Sequence, residues 1–390
     1  MKKVHVLLAS VLLLTMSCKG NSKADTALLS ETETDTSVMT KTLETTPKNT
    51  IKVALLLDTS NSMDGLIHQA KAQLWEIINE LSYARCDDKK PNLEIALYEY
   101  GNDNLSSEEG YIRQVLGFSN DLDEISEKLF SLTTRGGSEF CGHVIQTSLD
   151  QLNWGSNAKD LKLLFIAGNE PFTQGRVHYK DAITNACEKD VVINTIFCGD
   201  YQTGISGMWK DGARLGKGDY MTIAHNKRIA YVETPYDKKI MEYNTGLNST
   251  YIAYGSRGNY KITQQARQDN NAGSINAEIA VDRAVSKSSS FYTNSSWDLV
   301  DGIANDSVKV EELSKQELPE ALKDKNKDEI LAYVAAKQKE RKEIQQKIRE
   351  LNEKRRQYIA DKSKEKGKDD LESAMIKAIK TQAARKNYTW

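Results

Sequence analysis

Three oxygen-bearing side chains stand at alternate positions in one short polar loop. The loop reads Asp58-Thr59-Ser60-Asn61-Ser62, so it offers one carboxylate and two hydroxyls within a few residues. Hard oxygen ligands that carry little total charge suit Mg²⁺, which binds few protein carboxylates and keeps several waters. The loop is therefore a candidate site for Mg²⁺ or Mn²⁺, with a coordination position left open for an acidic group of a partner.

The segments on either side of this loop indicate how it is held. Residues 51–57 form an almost continuous aliphatic run, which is typical of a central strand covered on both faces. After the loop, apolar residues recur at helical spacing: Leu66, Ile67, Ala70, Leu74, Ile77, Ile78 and Leu81. Asp58 would then lie at the carboxyl end of a buried strand, where open α/β sheets bind their ligands.

Strands and helices continue to alternate up to about residue 232. Strands are predicted over 93–100, 161–167, 191–198 and 219–224, and helices over 122–132, 144–152, 179–189 and 205–215. This order predicts an α/β domain with a doubly wound, mostly parallel sheet over residues 50–232.

The loop and two later segments resemble a known family in the same order. Asp58-Thr59-Ser60-Asn61-Ser62-Met63 is similar to the Asp-x-Ser-x-Ser signature of the metal-ion-dependent adhesion site in von Willebrand factor type A domains. Arg135-Gly136-Gly137-Ser138 and Ala167-Gly168-Asn169-Glu170 resemble the other two loops of that site. The resemblance covers about residues 50–232. It implies a Rossmann-like fold and a metal ion held by Asp58, Ser60, Ser62 and Ser138.

One position departs from the family pattern. The aspartate of the family's third loop corresponds to Gly168 here, so the resemblance implies a partial site that binds metal weakly. Glu170 and Asp200 are acidic residues in the vicinity, but neither is in register with the missing aspartate. The alternative is a loop whose hydroxyls cap the following helix and bind no metal.

Four cysteines follow the N-terminal segment: Cys86, Cys141, Cys187 and Cys198. An even number permits two disulfides in an oxidising compartment, and four free, mostly buried thiols are the alternative. Cys141 lies two residues before His143, so an enzyme with a cysteine nucleophile is a further hypothesis. The chain lacks the phosphate-loop, nucleophile-elbow and His-Glu-x-x-His motifs, and we expect no enzymatic activity.

The N-terminus has the features of a bacterial export signal. Met1-Lys2-Lys3 precedes an apolar run from Val4 to Met16, which is shorter than the roughly 20 residues of a membrane-spanning helix. Residues 1–17 are predicted as a lipoprotein signal peptide, because Leu14-Thr15-Met16-Ser17-Cys18 resembles a lipobox.

Cleavage there would leave Cys18 as the lipid attachment site and the membrane anchor. Residues 18–49 are polar and would form a flexible tether. We therefore expect a protein of the bacterial cell envelope, held in the outer membrane on its periplasmic or surface face.

Residues 233–390 are predicted to be a helical C-terminal region. Between about 322 and 366 the chain is rich in Lys, Glu, Arg and Gln and contains neither glycine nor proline. Its apolar residues fit a seven-residue repeat: Ile330, Val334, Ile344, Ile348, Leu351 and Tyr358. This pattern indicates a long charged helix. It also permits a coiled coil with self-association, although Lys337, Arg341 and Arg355 occupy other seam positions.

Charge and hydropathy exclude some classes of function. The chain carries 53 basic and 55 acidic residues, so no basic field would attract nucleic acid. The mean hydropathy of −0.57 agrees with a soluble, helix-rich chain. We expect a non-enzymatic binding module that recognises a protein or envelope ligand through an acidic group. The alternative is a structural scaffold that binds no metal.

Overall fold

The computed structural model describes residues 48–223, 232–364 and 371–390. The predicted signal peptide, Cys18 and nearly all of the predicted tether therefore lie outside the described residues. The strands are β1 (Thr50–Asp58), β2 (Arg85–Cys86), β3 (Asn92–Tyr100), β4 (Ile112–Ser119), β5 (Leu161–Gly168), β6 (Val192–Cys198), β7 (Lys217–Ile223) and β8 (Tyr388–Thr389).

Six of these strands form the central sheet, in the order β4-β3-β1-β5-β6-β7. All neighbours pair in parallel except β4, which runs antiparallel to β3 at one edge. The winding direction reverses at β1, because β3 pairs on one side of it and β5 on the other. The predicted doubly wound, mostly parallel α/β fold is confirmed.

The helices are α1 (Asp64–Leu81), α2 (Leu122–Phe130), α3 (Cys141–Gln151), α4 (Tyr179–Glu188), α5 (Tyr201–Ser206), α6 (Trp209–Leu215), α7 (Asp237–Asn248), α8 (Gly258–Ile275), α9 (Ala277–Ser286), α10 (Leu299–Ala304), α11 (Lys327–Lys364) and α12 (Leu371–Ala384). In the described part of the chain, no helix is both long and apolar enough to cross a membrane.

The aliphatic character of β1 follows from its burial on both faces. Ile51, Val53 and Leu57 point into a core that also contains apolar residues of α1 and α2. Ala54 and Leu56 point the other way, into a core shared with α3 and α4. Side chains alternate between the faces of a strand, so a strand covered on both faces needs apolar residues at every position.

Two local features differ from the expectations. Strand β4 was not predicted, because it contains no continuous apolar run. Most residues of this edge strand are half-exposed, and Arg113 and Gln114 are exposed. The helix predicted over 205–215 is wrong as one element, since α5 ends at Ser206 and α6 begins at Trp209. Between them Met208 has a φ of 68°, which interrupts the helical backbone.

The C-terminal helices share the core of the sheet. The described residues form one compact unit. Within it α9 packs along α1 and α8 packs on α2. Buried ion pairs hold this contact. The Arg283 guanidinium lies 2.5 Å from Asp123 and 3.0 Å from Asp269, which also pairs with Lys287 at 2.7 Å. The predicted boundary at residue 232 marks a change in the sequence pattern. As a domain boundary it stays a prediction.

Helix α11 lies within the predicted span 322–366, and its seam arginines have buried partners. Arg341 pairs with Asp298 and Asp301, at 2.6 and 2.8 Å. Arg355 pairs with Asp237 and Asp282, at 3.1 and 2.8 Å. These charges interrupt the apolar repeat because α11 packs against α7, α9 and α10 of its own chain. A coiled coil and self-association through α11 stay predictions.

The end of the chain returns to the sheet. Helix α12 packs beside β7, and Gln382 exchanges hydrogen bonds of 2.7 and 3.1 Å with the buried Asn194 of β6. After α12, strand β8 pairs with β2 in a second, two-stranded sheet. The C-terminal residues therefore contact β2, just after α1, and the edge of the main sheet that β7 forms.

Replacing Arg341 by alanine should destabilise the protein strongly. The change leaves Asp298, which is completely buried, without its cation, and such a loss typically costs about 3–5 kcal/mol. Arg356→Ala on the same helix is the matched control, because Arg356 is 42% exposed and its pair with Glu80 contributes little. Urea unfolding would measure both; equal losses in the two variants would contradict this account of α11.

Candidate metal-ion site

Asp58 is the last residue of β1, and its carboxyl group is completely buried. One carboxylate oxygen, Oδ1, accepts the backbone N–H of Ser60 at 2.7 Å. The loop is also tied to the neighbouring strand, because the N–H of Thr59 donates to the carbonyl of Tyr100 at 2.8 Å. The aliphatic strand therefore delivers a carboxylate to the carboxyl edge of the sheet, where the winding reverses.

The two serines of the loop lie beside this carboxylate. Ser60 is buried and Ser62 is exposed, and their hydroxyl oxygens are 3.2 Å apart. The side-chain amide of Asn169, from the loop after β5, donates to the Ser62 hydroxyl at 2.9 Å. The structure thus brings together three of the predicted ligands, Asp58, Ser60 and Ser62, with Asn169 added.

Neither serine caps the following helix with its side chain. Ser60 precedes a short turn, Asn61–Met63, and makes no side-chain capping hydrogen bond; Met63, at the start of α1, makes none either. The alternative role for the hydroxyls, as helix caps without metal, has no support from this geometry.

Ser138, the fourth predicted ligand, lies in the loop before α3, between Gly137 and Glu139. Its side chain is exposed, whereas the next residue, Glu139, is 4% exposed and turns inward. The Glu139 carboxyl interacts with the carboxyl of Asp58 and with the Ser60 hydroxyl. Sequence reasoning missed Glu139, because the spacing of the motif points to Ser138 and only the path of the loop shows which residue faces inward.

Two glycines allow the loops to approach this closely. Gly101, after β3, has a φ of +78°, and a Cβ there would lie 2.8 Å from both Asp58 Oδ1 and Glu139 Cγ. A Cβ on Gly137 would lie 2.5 Å from the carbonyl oxygen of Gly101. Any side chain at either position would push the loop that carries Glu139 away from Asp58.

Burial raises the pKa of both carboxyl groups. For Asp58 the adjacent Glu139 carboxyl raises the pKa further, and the N–H and hydroxyl of Ser60 offset only part of the rise. For Glu139 the contacts with Asp58 and Ser60 lower the pKa, but burial prevails. In the absence of a cation, the pair favours holding a proton because two buried negative charges repel each other.

Several oxygens of the cluster have no hydrogen-bond donor among the described residues. They are Asp58 Oδ2, Glu139 Oε2 and Asn169 Oδ1, and all three are shielded from solvent. Unpaired buried acceptors are costly, so a cation would fit here. Within the described residues no group of three or more His, Cys, Asp or Glu side chains forms a metal site. An ion would therefore depend on hydroxyl and amide oxygens beside the two carboxylates.

The two other acids near the site, Glu170 and Asp200, have hydrogen-bond partners of their own, and the Glu170 charge raises the pKa of Glu139. Gly168 is the last residue of β5. Glu170 is exposed and accepts a hydrogen bond from Gln174 at 3.0 Å. Asp200 caps α5 by accepting the backbone N–H groups of Gln202 and Thr203.

All four cysteines after the N-terminal segment are free thiols, and Cys86, Cys141 and Cys198 are buried. Burial raises the pKa of the Cys141 thiol far above its usual range. Its sulfur lies 3.8 Å from the Tyr100 hydroxyl. A catalytic thiol needs an accessible site and a lowered pKa, so this environment does not favour the nucleophile hypothesis.

Comparison with known proteins shows similarity only at the level of solved structures. No family model matches the chain, and no curated protein matches it. The protein BatB from Bacteroides thetaiotaomicron is 15% identical over 45% of this chain and 90% of its own, with a TM-score of 0.35. The SpRpn10 VWA domain is 15% identical over 46% and 90%, also with a TM-score of 0.35.

A third similar structure is proximal thread matrix protein 1 from the mussel byssus, described with a zinc-occupied MIDAS motif. It is 12% identical over 50% of this chain and 44% of its own, with a TM-score of 0.33. Solved von Willebrand factor type A domains are thus among the similar structures, as the sequence resemblance implies. The α/β assignment itself rests on the order and direction of the strands.

In the presence of a chelator, Glu139→Gln should stabilise the protein, and increasingly so as the pH rises. The folded state raises the pKa of both carboxyls, so above their ordinary range the unfolded chain binds fewer protons and stability falls with pH. The variant removes one of these acids and its repulsion on Asp58. Thermal unfolding between pH 5 and 8 would measure the difference, with Glu188→Gln, an exposed acid at the end of α4, as control. Parallel curves for wild type and Glu139→Gln would contradict it.

An alkylating reagent should label the native thiols unequally. Cys187 is partly exposed whereas Cys141 is buried with a raised pKa, so Cys187 should react first and Cys141 only after unfolding. Peptide mass spectrometry after iodoacetamide treatment would assign the labelled sites. Rapid labelling of native Cys141 would revive the enzyme hypothesis.

Proposed function

We propose that the protein is a non-enzymatic binding module of the bacterial cell envelope. Its site, at the carboxyl edge of the sheet, holds a divalent cation, Mg²⁺ or Mn²⁺, and an acidic group of a protein or envelope ligand completes the shell. The observation that carries this proposal is the convergence of Asp58, Ser60 and Ser62 beside buried oxygens that have no donor.

The exposure of the site differs from one side to the other. Asp58 and Ser60 are enclosed, while Ser62 and Asn61 are exposed. A cation held from beneath would keep a face toward solvent, where a carboxylate of a partner has access. The available ligands are hard oxygens, and part of the coordination shell would stay open to water or to a partner. Both properties favour Mg²⁺ or Mn²⁺.

Ser138 was implied as a fourth ligand by the family resemblance, and its exposed position puts it at the rim of the site. Ser62 is exposed as well, but its hydroxyl contacts that of Ser60. Asp58, Ser60 and Ser62 are therefore the residues on which the proposed cation site chiefly depends.

The envelope location rests on the N-terminal sequence. The predicted signal peptide, lipidated Cys18 and tether would place the folded unit close to a membrane. The second candidate function, a metal-independent scaffold, is favoured by the buried ion pair between Arg283 and Asp123, which joins the C-terminal helices to α2.

Asp58→Ala should abolish binding of Mg²⁺ and Mn²⁺ in calorimetric titration of the purified protein. The change removes the carboxylate that the loop surrounds. Asp103→Ala is the matched control, since Asp103 lies near the same edge of the sheet but is 48% exposed and pairs with Arg135. If the wild type gives no heat of binding, or if Asp58→Ala binds the ions as the wild type does, the proposed metal site is wrong.

A photo-crosslinking residue at Asn61 would identify the partner in cells. Asn61 is exposed between the two serines, so the crosslinks should depend on divalent cation and disappear in Asp58→Ala. Crosslinks that survive both chelation and Asp58→Ala would instead favour the metal-independent scaffold.

A further inference from the structure

We propose that Glu139 supplies the second carboxylate of the cation site, from the loop before α3, in place of an acid from the loop after β5. The inference rests on the proposed function, because it completes the ligand set of the same site. It changes the number of carboxylates from one to two and assigns a residue that the loop motif does not indicate.

The first argument concerns the surroundings of the Glu139 carboxyl. Glu139 is 4% exposed and Asp58 is 0% exposed, and each carboxyl group has one oxygen without a donor among the described residues. Neither a lysine nor an arginine side chain forms an ion pair with either carboxyl in the described part of the chain. Two buried carboxyls in contact, each with an unpaired oxygen, need either a shared proton or a cation.

The second argument is that position 168 has no room for an acid. A Cβ on Gly168 would lie 2.5 Å from the Tyr100 hydroxyl and 3.2 Å from the Trp209 ring. Tyr100 is held there, because its hydroxyl donates to the carbonyl of Ala167 at 2.9 Å. The space that a side chain at 168 would use is therefore filled by two buried aromatic residues.

The third argument is the path of the second loop. The N–H of Asp103 donates to the carbonyl of Gly136 at 2.7 Å, and Gly137 lies directly against Gly101. From this anchored position the chain turns Ser138 outward and Glu139 inward. The Glu139 carboxyl then reaches the Ser60 hydroxyl and the backbone N–H of Glu170, so it lies between the first and third loops.

The resulting donor set consists only of oxygens. The carboxyls of Asp58 and Glu139 and the hydroxyls of Ser60 and Ser62 belong to one connected cluster, and the side-chain amide of Asn169 donates to the Ser62 hydroxyl. Two carboxylates with neutral oxygens suit a hard divalent cation, Mg²⁺, Mn²⁺ or Ca²⁺, and would balance its charge.

Calorimetric titration with Mn²⁺ tests the assignment directly. Glu139→Gln should weaken binding at least about tenfold, since even groups outside the first shell of a metal typically contribute on the order of 10–100-fold. Glu188→Gln, an exposed acid at the end of α4, is the matched control and should bind like the wild type. Ser138→Ala tests separately the ligand that the family resemblance implies. The same titrations with Mg²⁺ and Ca²⁺ would rank the ions.

The outcomes separate the two proposals. Wild-type affinity in Glu139→Gln would overturn the role of Glu139 and leave the Asp58 site intact. Loss of affinity in Ser138→Ala, with none in Glu139→Gln, would assign the ligand of this loop to Ser138 instead. Absence of binding in the wild type for all three ions would overturn the cation site itself.

Thermal unfolding in chelator would show whether Glu139→Gln is folded. If it is not, Glu139→Asp serves in its place, because the shorter carboxylate keeps the charge but retracts it from the cluster. Its affinity for Mn²⁺ should then fall below that of the wild type, and an unchanged affinity would overturn the assignment.

Discussion

The burial of one carboxylate, that of Asp58 at the end of the central strand, constrains every loop at the carboxyl edge of the sheet. A charge enclosed in a protein needs donors, counter-charges or a cation. The N–H and hydroxyl of Ser60 supply part of that need. Glu139 adds a second acid at a place where a basic side chain would be expected. The arrangement therefore fits a cation site better than it fits a structural contact.

The same problem of buried charge is solved differently in the C-terminal region. Arg283, Arg341 and Arg355 are each almost fully buried, and each faces at least two acidic side chains. Each guanidinium in these networks has acidic partners, whereas the two acids of the Asp58 cluster pair with no lysine or arginine of the described residues. The contrast distinguishes ion pairs that serve the fold from the acids of the proposed cation site.

Much of the sheet could be predicted from the sequence, because buried parallel strands are continuous aliphatic runs and amphipathic helices follow them. Strand β4 could not be predicted, since an edge strand exposes much of its surface and needs no such run. In the site, Asp58, Ser60 and Ser62 could be predicted because one loop presents them. Glu139 could not, because its inward direction depends on the contact between Gly101 and Gly137, which are distant in sequence. Likewise, Arg341 and Arg355 interrupt the apolar repeat of α11. The sequence does not show that acidic side chains elsewhere in the C-terminal region pair with them.

The C-terminal helices also affect the site, through the helix that begins there. Helix α1 starts directly after the Asp58 loop, and its later turns are held by α9: the Asn79 side chain donates to the carbonyl of Asp282 at 2.9 Å and accepts from the Ser286 hydroxyl at 2.7 Å. The Arg283 guanidinium lies over the ring of Trp75, 4.6 Å from its centre. A helix fixed along its length cannot easily shift when a ligand reaches its first residues. Because the loops are also tied to one another through backbone hydrogen bonds, the candidate ligands are already assembled, and little ordering would oppose binding at this edge of the sheet.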